Sequence, residues 1–142
     1  AILASENATT ELGGEIERHM IFMTDGETCT GGDNYQAYGI AWWDRRQTST
    51  GSAPSDGCDD SSSDGGTLSQ QVNNRFSALC TAVKNKNITL WVVYFGSTDE
   101  DTVDRMTDCA SPSRFYYANN SSALITSFRQ IADQISQLRL TR

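Results

Sequence analysis

The residues best placed to do chemistry are Thr24-Asp25-Gly26-Glu27, which close a short apolar run beginning at His19. A carboxylate at the mouth of a strand can ligate a hard cation or act as an acid or base. Gly26 permits a tight turn, and Thr24 and Glu27 add oxygens of the kind Mg²⁺ prefers. The same four residues also make an ordinary turn in which Asp25 accepts backbone N–H bonds, so the motif alone leaves both readings open. His19 is the one histidine, and about 20 Å of strand separates it from Asp25. No Gly-x-Ser-x-Gly elbow, phosphate-binding glycine loop or Cys-His signature accompanies them, so the expectation is a non-enzymatic protein.

Two further clusters invite a site. In the loop from Asp56 to Gly66, counting from Asp60 puts Ser62, Asp64 and Gly65 at calcium-loop spacing, but Gln71 stands where the bidentate Glu belongs. A solvated loop is the better reading. Tyr35, Tyr38, Trp42 and Trp43, followed by Arg45 and Arg46, have the composition of a partner-binding surface. Aromatic anchors holding a long loop to its own domain would look the same.

Four cysteines, Cys29, Cys58, Cys80 and Cys109, include no CxxC pair, which argues against zinc and for two disulfides in an oxidising compartment. Three pairings are possible. Chain layout favours Cys29–Cys58, which closes about 30 residues and contributes roughly 3–4 kcal/mol, and Cys80–Cys109, which ties neighbouring βα units. Four free buried thiols are the alternative.

The positioning elements follow from periodicity. Residues 19–24 are too short for a helix and read as a buried strand. Residues 1–17 read as a connector and 25–66 as a long Gly/Ser/Asp-rich loop. Leu68, Val72, Phe76, Leu79 and Val83 form one helical stripe. Ile88–Phe95 has the unbroken apolar character of a strand covered on both faces. The run from Ser97 to Asp101 reads as a capped helix start, extending to about Asp108. Arg114–Ala118 reads as a strand, and Leu124, Phe128, Ile131, Ile135 and Leu138 as a last stripe capped by Ser121 or Ser122. Strands alternating with helices imply an α/β domain with a mainly parallel sheet. With 142 residues and a net charge of −7, one domain is expected and nucleic-acid binding is not. No apolar run approaches the roughly 20 residues of a membrane span, and no charged-then-apolar signal pattern opens the sequence.

In this order, MIFMTDGE (20–27), YQAYG (35–39), the Cys80 helix, ITLWVVYF (88–95), DCAS (108–111), FYYA (115–118) and the tail FRQIADQISQLRLTR (128–142) resemble the C-terminal half of a von Willebrand factor A domain. The chain is similar in particular to TadG-like proteins of the tight-adherence (Flp) pilus system. The resemblance implies a doubly wound, Rossmann-like fold and a place in the bacterial envelope, periplasm or extracellular space. It also implies protein partners, in pilus assembly or surface adhesion. Such domains build an adhesion site for Mg²⁺ or another divalent cation from three loops, and the resemblance carries over only one contributor, Asp25, acting through water. The cation is therefore not expected to bind this chain alone. The other parts would come from a first half, or from another chain completing the sheet. An unpaired sheet edge allows a different expectation, a filament subunit assembled by strand addition.

Overall fold

The computed structural model describes residues 16–26, 28, 35–36, 39–40, 68–96 and 98–140, with the side chains of 35–36, 40, 68 and 138–140 excluded. The elements are β1 (Arg18–Thr24), β2 (Tyr35–Gln36), β3 (Gly39–Ile40), α1 (Leu68–Asn85), β4 (Ile88–Tyr94), α2 (Glu100–Cys109), β5 (Phe115–Tyr117) and α3 (Ser121–Leu140). Strands β1, β4 and β5 form a parallel sheet with β4 in the middle. The α/β class and the parallel sheet expected from the alternation are both present.

Strand β4 explains the layering. Leu90, Val92 and Tyr94 point to one face, where they pack with Cys80 of α1 and with Met106 and Cys109 of α2. Trp91 and Val93 point to the other, against Ile131 of α3. The period-2 alternation of a strand thus feeds two cores from one apolar run. Trp91, Val92, Val93 and Tyr94 are fully buried, each side chain contributing about 1.5–3 kcal/mol or more relative to exposure. On its β5 side the strand is extended by Ser111, whose N–H donates to Leu90 O (2.8 Å) and whose hydroxyl accepts from Leu90 N (2.9 Å).

Several expectations need correction. The 19–24 run is an edge strand of the described sheet, not a buried one. Met20, Ile21 and Met23 are 44%, 45% and 54% exposed, because the sheet continues only on the β4 side. The stripe on α1 is kept at Phe76 and Val83, which pack against the first core, but not at Leu79. Leu79 is exposed, and the buried positions are Ser69, Asn73 and Cys80, so small polar residues take part in the face that apolar counting alone missed. Helix α3 is capped by Asn120, whose Oδ1 accepts from Ala123 N (2.9 Å), and not by Ser121 or Ser122. Its Phe128 is also exposed. Strand β5 is shorter than Arg114–Ala118. The loop over 25–66 is interrupted by the antiparallel pair β2–β3, and the rest of it from 29 onward lies outside the described residues.

Helix ends are chemically defined. Asn85 ends α1, and Asn87 turns the chain with φ 54°, a left-handed conformation that asparagine tolerates. Lys84 in the last turn of α1 reaches across to α2, donating to Asp108 O (2.7 Å) and Ala110 O (3.4 Å). A cation is thereby placed at the negative end of α2. Beside it, the buried Cys80 and Cys109 form the expected disulfide, with Cα atoms 5.1 Å apart. Cys29 and Cys58 lie outside the described residues.

The bridge spans a sequence separation of 29, and cross-linking a loop of that size removes about 3–4 kcal/mol of unfolded-state entropy. Replacing both Cys80 and Cys109 by Ala is expected to lower urea-unfolding stability by about that amount. A loss under ~1 kcal/mol would show that α1 and α2 are already held by packing and Lys84.

Asp99 caps α2, its Oδ2 accepting from Thr102 N (2.9 Å). The backbone N–H of Thr102 chiefly, then its hydroxyl and the Arg105 charge, hold the Asp99 carboxyl below its ordinary 3.8. A depressed folded value means that the contribution is present above pH ~4 and lost as pH falls through the lower folded value. Asp99→Asn keeps a capping oxygen without the titration. Acid unfolding followed by circular dichroism should therefore be less steep below pH 4 in that variant than in the wild type.

Candidate functional site

Because all three strands run parallel, their carboxyl ends share one edge of the sheet, the edge where ligands bind in open α/β folds. Thr24 ends β1, and its carbonyl accepts from Phe95 N (2.9 Å), just past β4. Asp25 follows, exposed. The turn behind it is tied by Gly26 N–H donating to Thr24 Oγ1 (3.4 Å). At the end of β4, Tyr94 O accepts from Ala118 N (2.9 Å), and Tyr117 Oη donates to Gly96 O (3.1 Å). Across the same edge stand the first turns of α2 and α3, capped by Asp99 and Asn120.

Close approach explains Gly96. A Cβ there would lie 2.6 Å from both Cζ and Oη of Tyr94. The phenol of Tyr94 is thus folded under the β4–α2 loop, with its ring 6.0 Å from that of Tyr117. Its hydroxyl has no hydrogen-bond partner among the described residues. Beside Tyr117 an open groove of about 520 Å³ is lined by Thr98, Glu100, Val103 and Asp104. Glu100 and Asp101 occupy the first turn of α2 and offset its positive end, so this edge favours cations or basic groups over phosphate.

Asp25 is not among the residues lining that groove. It lies on the outer strand, whereas the groove lies toward β5. Among the described residues no three His, Cys, Asp or Glu side chains gather. Of the aromatic cluster, Tyr35 falls in β2 as backbone only, and Tyr38, Trp42 and Trp43 lie outside the described residues. The Asp-x-Ser-x-Ser spacing that one loop of a von Willebrand A adhesion site carries is present at Asp59, Ser61 and Ser63. They belong to the 25–66 segment and lie outside the described residues too.

No family model, curated protein or solved structure matches the chain. No helix among the described residues is long and apolar enough to cross a membrane.

The opposite end of the sheet holds a constellation that composition alone does not reveal. Trp91 lies between His19 of β1 and Arg114 and Tyr116 on the β5 side. Recognising it requires the parallel register, which sets Ile21 beside Trp91 and Tyr116 beside Val93.

The Tyr94–Gly96 contact gives a paired test. Gly96→Ala should cost about 1–3 kcal/mol in thermal or urea unfolding through overpacking. Tyr94→Phe should cost less than about 1 kcal/mol or stabilise, since the hydroxyl it deletes is buried without a partner among the described residues. A larger loss in Tyr94→Phe would reveal a hydrogen bond that the described residues do not provide.

Proposed function

We propose that the chain is part of a von Willebrand A-like, TadG-like binding domain, exported and non-enzymatic, acting in pilus assembly or surface attachment by contact with other proteins. The observation that carries this reading is the sheet itself. Three parallel strands have two helices on one face and one on the other, and an Asp at the carboxyl end of an edge strand that is apolar and exposed. The Cys80–Cys109 disulfide supports an oxidising compartment such as the periplasm or cell exterior. In this reading Asp25 is one corner of a divalent-cation site, for Mg²⁺ or a similar ion. The remaining ligands would come from residues outside those described or from another chain.

A second reading rests on β1. Met20 on one face and Ile21 and Met23 on the other are all exposed, and one side of the strand carries no partner within the described sheet. Such an edge is suited to strand addition, as in a filament subunit.

A photo-crosslinking residue at Met23, compared with one at the exposed Leu79, separates these readings in the exported protein on intact cells. Adducts with a different envelope or pilus protein are expected for the binding domain, and a ladder of self-adducts for the filament. Labelling at Met23 no stronger than at Leu79 would contradict both.

A further inference from the structure

Trp91 is fully buried, and its indole nitrogen can only donate. It donates to His19 Nδ1 at 3.2 Å. That bond requires Nδ1 to be bare, so a neutral His19 must carry its proton on Nε2. Nε2 in turn faces Glu17 Oε2 at 3.6 Å. The other side of the indole is occupied by Arg114, whose Cζ lies 4.5 Å from the ring centroid. Arg114 is fixed there by donating to Gln134 Oε1 (2.6 Å), and Gln134 Nε2 donates to Tyr116 Oη (2.8 Å).

A second proton on the imidazole conflicts with this arrangement. It sets Nδ1–H against the indole N–H, leaves a buried donor without an acceptor, and adds a cation to a ring already carrying a guanidinium. Glu17 acts the other way, because its carboxylate attracts the imidazolium. The neutral ring therefore serves both partners, whereas the imidazolium keeps only Glu17. Among the described residues, Arg18 lies on the opposite face of β1 by strand alternation, β4 presents no titratable group on this face, and Arg129 and Asp133 of α3 are exposed to solvent.

We propose that His19 is a proton-operated latch on edge strand β1. Neutral, it fastens β1 to the Trp91 core under α3. Protonated, it keeps Glu17, gives up Trp91 and releases the strand on that face. The ladder to β4 and the Phe22–Phe76 ring contact, 5.3 Å between centroids, still hold β1 on the other face, so acid loosens the edge without unfolding the domain. This goes beyond the binding function proposed above and does not depend on it.

Nitrogen-15 NMR of the wild-type protein tests the latch directly. At pH 8 the His19 ring should show the Nε2–H tautomer. As pH is lowered from there, the Trp91 indole N–H should shift in step with the His19 ring nitrogens. Over the same titration the opening equilibrium of β1 amides, corrected for intrinsic exchange, should rise about tenfold. His19→Gln keeps an acceptor without a titrating group, and in it both responses should be absent. An Nδ1–H tautomer at pH 8, or an indole signal that ignores the His19 titration, overturns the proposal using the wild type alone. An equal response in His19→Gln overturns it as well.

Discussion

Strand β4 has to be buried on both faces, and nearly every other feature of the described structure follows from that. A run of seven residues, Ile88–Tyr94, with a threonine as its only polar member apart from the Trp91 indole N–H and the Tyr94 hydroxyl, cannot present either face to water without a large loss of hydrophobic stabilisation. Helices α1 and α2 cover Leu90, Val92 and Tyr94, while α3 covers Trp91 and Val93. The Cys80–Cys109 disulfide and the Lys84 contacts lock the two helices on the first face to each other. On the second face one helix does the work, helped by a polar frame around Trp91 that draws on β1, β5 and α3.

The inequality between the two faces shapes what the surface can do. Helix α3 packs mainly over β4 and β5, and its Gln134 is anchored toward β5 by Arg114 and Tyr116. Strand β1 is left with Ile21 and Met23 in contact with solvent. The chemically suggestive Asp25 stands at the end of that same strand. Strength of attachment and exposure of the candidate binding edge are therefore properties of one element, and His19 sits at its other end.

How much of this is legible in the residues varies with the physics involved. The strand ITLWVVYF is readable because uninterrupted apolar β-branched and aromatic residues leave few alternatives. The α2 start is readable because Asp99 is followed by Glu100 and Asp101, so cap and dipole signals coincide. Leu79 misleads because apolar periodicity ignores Ser69 and Asn73, small polar residues that pack inward beside Cys80. The burial of β1 is misjudged because an apolar run says nothing about which neighbours a strand has. At α3, Asn120, Ser121 and Ser122 all offer capping oxygens, and only backbone geometry selects Asn120. The His19–Trp91 bond depends on the alignment of two strands 72 residues apart, which no local pattern encodes.

The central claim is that β4 is the anchor of the domain and β1 its least secured strand. Native-state hydrogen exchange, resolved by residue under increasing denaturant, tests it most directly. Val92 N–H, bonded to Arg114 O at 3.0 Å, should exchange only through global unfolding. The β1 amides bonded to β4 should exchange through an opening of lower free energy and smaller denaturant dependence. If the β1 amides merge with Val92 into one global isotherm, β1 is as firmly held as the centre of the sheet, and the account is wrong.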